Sequence, residues 1–408
     1  MAVLPVAKIR LSFVEERTMK QYILRCVMLS IVIPLLSCQM HFSIRNSVLI
    51  DTIALADDVS NENNMLERIA MNRKIMIDHG PDFSIIGSTV NDNKLSFFGA
   101  TGLGDFTKKM PSIILYDFDG NICMKCNSEQ KGETFIDAIS VKDKVITLRP
   151  EDGKSMVEHI ENGGVVLQQE VTDSAARLFN ANNGYLVSCF SKENIYNMFM
   201  FGSGGTQRFQ LSICGNIYIN KVLIMNDYYI GIGRRGQNGF IFAFDDCGTI
   251  LWQKVTELPC EIVDAVRMDD DQFVVLACNY NSQEPLFLSQ YEKSRNIWTK
   301  ALLINDMPNG IIVHNTIAMC NDNIWMVSAI NRAEESSIFF RVINPNNKLD
   351  LMQSITIPDI SLTRIDLNIN EEKKFCIYTG RFYDEECFNT SYQIPYITYI
   401  EEVSCVYF

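Results

Sequence analysis

Histidine is scarce in this chain, with four in 408 residues, and tryptophan scarcer, with three. So few imidazoles exclude a histidine-rich metal site. Basic residues are outnumbered, 36 Lys and Arg against 49 Asp and Glu, for a net charge of −13. A nucleic-acid binder needs the reverse surplus to neutralise phosphates, so nucleic acid is not expected as a partner. No apolar run reaches 18 residues, and a bilayer core of about 30 Å needs roughly 20 in a helix. Neither G-x-S-x-G nor H-E-x-x-H occurs. No catalytic cluster, metal set or cofactor motif is assigned. What remains is a globular composition, 47% hydrophobic and 21% charged, with ample material for a core.

Residues 20–38 read KQYILRCVMLSIVIPLLSC. Lys20 and Arg25 precede an apolar stretch, Cys26 to Leu36, which is too short to span and has the order of a secretory signal. It ends Leu35-Leu36-Ser37-Cys38. This resembles a bacterial lipobox: a branched apolar residue at −3, a small residue at −1, then cysteine. The resemblance implies a signal peptide over 1–37, cleavage before Cys38, and lipidation of that thiol with fatty acids such as palmitate. Met19 fits the true start, with 1–18 an over-extended beginning. Acyl chains contribute about 0.8 kcal/mol per buried CH₂, so several anchor the chain stably. The membrane is then one partner. Gln39, in place of an inner-membrane-retaining aspartate, points to the outer membrane of the cell envelope.

The body repeats. A polar turn followed by a short apolar strand recurs seven times, as KLSFFGA from Lys94, KVITLRP from Lys144, GYLVSCF from Gly184, YYIGIGR from Tyr228, FVVLACN from Phe273, IWMVSAI from Ile324 and FCIYTGR from Phe375. Asn and Asp supply the turns; β-branched and aromatic residues supply the strands. A second hairpin follows most copies, for example SIILYDFDGNICMK and GFIFAFDDCGTILWQK. With a short strand ahead of each turn, such as IIGST or IDAIS, each unit holds four antiparallel strands in about 45 residues. The predicted fold is all-β: a seven-bladed β-propeller of four-stranded antiparallel blades, with six or eight blades as the alternative. The division is a lipidated N-terminus over 38–45, a closing strand over 46–55, a connector over 56–81, and the propeller over 82–408. The connector's NENNMLERIAMNRK reads as weakly helical.

FDDCGTILWQK, Phe244 to Lys254, and YDFDGNI, Tyr116 to Ile122, resemble the PQQ-like propeller repeat; the second also resembles NHL and TolB-like repeats. The resemblance covers two blades and implies an envelope lipoprotein whose propeller binds or scaffolds. Quinoprotein dehydrogenases repeat a tryptophan in most blades and this chain does not, so neither PQQ, calcium nor dehydrogenase activity is carried over.

Other motifs have bland readings. Gly231-Ile232-Gly233-Arg234-Arg235-Gly236 matches G-x-G-x-x-G, but a turn and strand follow where a dinucleotide site needs a helix. Cys123 and Cys126 are three apart on a strand and should face opposite ways. The remaining cysteines read as buried free thiols, with one or two disulfides as the alternative. Asp51-Thr52-Ile53 and Asp173-Ser174-Ala175 resemble an O-glycosylation triplet. The sharpest binding idea rests on arginines. Arg149, Arg234, Arg235, Arg332 and Arg381 follow second strands, on the face where propellers usually carry a pocket. Guanidinium forks suit carboxylates and phosphates. The expected function is a non-enzymatic binding scaffold for a protein or small molecule, with an anion on this face. The alternatives are an envelope hydrolase or lyase in the central funnel, marked by carboxylates or histidine converging at shifted pKa, and an assembly factor with a wide rim.

Overall fold

A computed structural model describes residues 48–50 and, between 68 and 406, the strands and most of the turns joining them. The strands form seven antiparallel sheets. Six are four-stranded and contiguous in sequence, beginning at Phe83, Asp137, Ser174, Ile217, Glu261 and Ile311. The seventh is five-stranded and joins both ends of the described chain. It runs Ile360–Ile369, Lys374–Phe382, Tyr396–Val406, then Arg68–Asp78, then Val48–Ile50. The seven-bladed propeller read from the repeats is the fold.

The ring closes differently from the sequence expectation. Arg68–Asp78, read above as connector, is the closing strand; it pairs from Arg68↔Val406 to Asp78↔Ile397. Of the segment 46–55, Val48–Ile50 pairs outside it, with Leu49 opposite Ile75. The physical reason is a register shift between Met71 and Arg73. One extra residue reverses which face the following side chains occupy. Ile69 therefore packs with Trp325 and Phe340 of blade six, while Ile75 and Ile77 pack with Leu95 and Phe97 of blade one. Apolar residues on both faces of one strand break the alternation by which strands are recognised.

The core is divided among the seams. Buried apolar residues fall into seven clusters, each shared by two neighbouring blades. Leu186 and Tyr196 of blade three meet Tyr229 and Phe242 of blade four, for example. Each such side chain, at roughly 1.5–3 kcal/mol on burial, stabilises two blades together, and no sheet need stand alone.

The two turns that carry the repeat resemblance share one geometry. Asp117 Oδ1 accepts from the amides of Asp119 (2.9 Å) and Asn121 (2.8 Å), and Asp245 Oδ1 from those of Cys247 (2.9 Å) and Thr249 (2.8 Å). Gly120 and Gly248 close these turns at φ of 81° and 82°, a left-handed conformation that a side chain resists. Burial would raise Asp117, but the Asn121 side chain and these amides hold it below the usual carboxylate range; at Asp245 the amides, that of Thr249 first, do the same.

Candidate functional site: the central channel

The first strand of every blade lines a cavity of about 480 Å³ on the propeller axis. Six of these strands carry a register shift at the same place: Ile85/Gly87, Ala175/Arg177, Ile219/Lys221, Ile262/Asp264, Ile312/His314 and Leu362/Arg364. In blade two, Ile136 donates its amide to Leu148 O at 2.8 Å while Asp137 is paired with Leu148, so the same two-against-one arrangement recurs. A bulge re-aims the next side chain. The residue after it is Gly87, Asp137, Arg177, Lys221, Asp264, His314 or Arg364, so six of seven blades present an ionisable group there, and all seven residues line the cavity. Asp366, two residues beyond Arg364, joins them.

The carboxylates of this ring are bound to groups of their own blade and of a neighbouring one. Asp137 accepts from its neighbour Ala138 N (2.9 Å) and from Leu178 N of blade three (2.8 Å). Asp264 accepts from Ala265 N (2.8 Å), Lys221 Nζ of blade four (2.6 Å), and Thr316 Oγ1 (2.9 Å) and Ile317 N (2.8 Å) of blade six. Asp366 accepts from Arg364 Nε (2.8 Å) and from Ser88 Oγ of blade one (3.1 Å). Each acid thereby staples adjacent blades at the axis.

Protonation follows from these surroundings. Burial pushes the Asp137 carboxyl up, against its amide bonds and the charge of Arg177. Burial would raise Asp366 too, but Arg364 and His314 hold it below the usual range. Burial opposes the charge on Arg364, and Asp366 more than restores it. Burial, then Arg364, push His314 down, so its ring is neutral at neutral pH; its Nδ1 is buried without a hydrogen bond among the described residues.

The arginines singled out in the sequence divide. Arg149 has no exposed surface; Nε lies 2.9 Å from Glu158 Oε1 and Nη2 3.1 Å from Glu151 Oε2. It belongs to the core of blade two and does not face a ligand. Arg332 is paired with Glu335 at 2.5 Å and donates Nε to Asn309 O. Arg235 donates Nη2 to Cys214 O (2.9 Å) and lies over Phe240. Arg381 is exposed at the end of its strand, opposite Ser361. Arg234 adjoins the channel: its guanidinium lies 5.4 Å from the ring of Tyr218, a cavity residue, and 4.8 Å from that of Tyr280. Arg177 lies over the same Tyr218 ring at 5.2 Å. Sequence reasoning missed Arg177, Lys221 and Arg364 because it looked to loops. The available signal was an ionisable residue inside each short apolar strand, recurring 40 to 50 residues apart from Asp137 to Arg364.

Gly231 and Gly233 lie in the second strand of blade four and Gly236 in the following turn at φ 64°, so this motif is a hairpin. A Cβ on Gly233 would fall 1.9 Å from Tyr218 O, so the glycine lets the strand beneath Tyr218 approach. All nine described cysteines are free, with Cys123 exposed and Cys126 buried as expected of one strand. Burial pushes the Cys278 and Cys376 thiols well up, which makes them inert packing groups. Cys38, the leader and the triplet at 51–53 lie outside the described residues.

The architecture defines a β-propeller of seven blades. No family model matches the sequence, and no curated protein does. Among solved structures, the chain is similar to the Dos1 propeller (TM-score 0.50, 9% identity, covering 80% of this chain and 93% of that one). It also matches Sqt1 of Saccharomyces cerevisiae (TM-score 0.46, 11% identity, 80% and 97%) and Hsv2 of Kluyveromyces lactis (TM-score 0.43, 11% identity, 70% and 93%). At such identity the likeness to the first concerns fold alone.

Proposed function

We propose that this chain is an envelope lipoprotein, anchored through Cys38, whose propeller is a non-enzymatic scaffold that binds a small molecule or a partner's segment at the mouth of its central channel. The observation that carries the binding reading is the axial cavity of about 480 Å³, within the usual size of ligand pockets, with polar groups converging on it from all seven blades. Each of its carboxylates accepts at least two hydrogen bonds from protein donors, an arrangement suited to holding a rigid rim. The anchor rests on the order of basic residues, apolar run, Ser37 and Cys38. Gln39 favours the outer membrane. Kinship with PQQ-like or TolB-like propellers is supported by the matched aspartate turns at Asp117 and Asp245. The test is growth with a clickable palmitate analogue. The wild-type chain should take the label and fractionate with membranes, and Cys38→Ser should lose both. An unlabelled wild-type chain would end the lipoprotein reading.

A second reading, a hydrolase or lyase in the same funnel, is favoured by Asp137 and His314, which both line the cavity with displaced pKa values. A generic esterase, glycosidase and lyase substrate panel, compared between wild type and Asp137→Asn, decides it. Turnover lost in the variant would establish the enzyme, and no turnover by wild type would leave the scaffold.

A further inference from the structure

The channel's charges balance in number but not in hydrogen bonding. Asp137, Asp264 and Asp366 each accept at least two hydrogen bonds from fixed donors. The two arginines around Tyr218 are different. Arg177 donates Nη1 to Asn220 O at 3.1 Å, and Arg234 donates Nη1 to Gly236 O at 3.1 Å, with Glu261 Oε1 3.8 Å from Arg234 Nε. A guanidinium carries five N–H donors. Most of those on both residues meet no acceptor among the described residues. Unmatched donor capacity is therefore concentrated on these two guanidiniums, and its complement is an acceptor-rich ligand.

The two groups are also held in place. Arg177 comes from the first strand of blade three, Tyr218 from that of blade four, Arg234 from the end of blade four's second strand, and Tyr280 from the turn after blade five's. The guanidiniums of Arg177 and Arg234 both lie over the Tyr218 ring, and that of Arg234 also lies over Tyr280. Cation–π contact fixes each guanidinium plane before a ligand arrives, which lowers the ordering cost of binding. Arg177 and Tyr218 line the cavity itself.

Resting on the scaffold reading above, we propose that this guanidinium–tyrosine ladder is a binding subsite for a small organic carboxylate, gripped by Arg177 and Arg234 beside Tyr218. A carboxylate presents the two coplanar oxygens that a guanidinium fork matches. A phosphate carries more negative charge toward Asp137, Asp264 and Glu261, which stand close by, and is disfavoured. The cavity of about 480 Å³ admits a ligand of metabolite size.

The experiment is calorimetric titration of the purified full chain with succinate, benzoate and inorganic phosphate. Wild type should bind at least one of the carboxylates saturably at one site, and phosphate at least about tenfold more weakly. Arg177→Gln and Arg234→Gln should each weaken the carboxylate about tenfold or more, and Arg234→Lys, which keeps charge and loses the fork, several-fold. Lys154→Gln, which removes an exposed pair with Glu170 on blade two, should change nothing. Arg234 stands at the mouth, so its variants test the site even if Arg177→Gln does not fold; circular dichroism checks each. Undiminished binding by folded Arg234→Gln, or phosphate binding as tightly as carboxylate, overturns the ladder while leaving the scaffold reading in place. Absence of carboxylate binding by the wild-type chain overturns the assignment. The anchor is decided separately by the Cys38 labelling.

Discussion

Arg149 and Glu158 face each other across adjacent strands of blade two as a fully buried ion pair, Nε to Oε1 2.9 Å, neither side chain with exposed surface. Gln168 Nε2 adds a hydrogen bond to the same Glu158 oxygen at 3.0 Å. Removing one partner strands a buried charge. Arg149→Ala should therefore destabilise by about 3–5 kcal/mol, whereas Arg149→Met with Glu158→Leu should cost far less than either single change. Chemical denaturation of the three variants measures this; a double variant no better than the singles would contradict it.

His79 should make stability fall with acid. Its ring packs against Phe97 and Tyr116 of blade one, and Nε2 lies 2.9 Å from Thr398 Oγ1 of blade seven, so it sits on the closing seam. Burial lowers its pKa to about 3. Above pH 6.5 neither the folded nor the unfolded state holds the proton, and the seam is at full strength. As pH falls from 6.5 toward 3 the unfolded chain binds a proton that the folded chain refuses, costing about 1.4 kcal/mol per pH unit. His159 and His314 are shifted the same way. Unfolding free energy should decline between pH 7 and 5, above the carboxylate range, and His79→Gln should flatten that slope.

The closing strand predicts a sharp boundary for truncation. Deleting 1–60 removes Val48–Ile50 but keeps Arg68–Asp78, and should leave cooperative unfolding. Deleting 1–81 removes the partner of Tyr396–Val406, exposes a sheet edge, and should give aggregation. Size-exclusion chromatography and thermal melts distinguish the two. Aggregation of both would reinstate 46–55 as the closing strand.

Asp264 joins three blades. Asp264→Ala leaves the buried amide of Ile317 and the hydroxyl of Thr316 without their acceptor and Lys221 without its counter-charge. A loss of about 3 kcal/mol or more is expected, visible as a lowered melting temperature. Gln207→Ala, exposed on the outer strand of blade three, should be nearly neutral.

How much of this was legible in the sequence differs from element to element. The second strands, such as Lys144–Glu151 and Asn323–Asn331, were plain because polar turns and β-branched runs bracket each copy. Arg68–Asp78 was not, because its bulge puts Ile69 on one face and Ile75 on the other, a spacing that imitates a helix. The loop after second strands drew attention to Arg234, which does adjoin the channel, and to Arg149, which is buried in its own blade. The ring of Asp137, Arg177, Lys221, Asp264, His314 and Arg364 is scattered one residue per repeat. Only the stacking of seven inner strands brings those residues together.

The last blade also orders events during synthesis. Ile75 pairs with Ile400, some 325 residues later. A ribosome adding about 5–20 residues per second leaves the early strand without its mate for a quarter of a minute or longer. Through that interval the nascent chain is an open arc whose leading edge is unpaired. Until Tyr396–Val406 emerges to take it up, the ring has no means of locking.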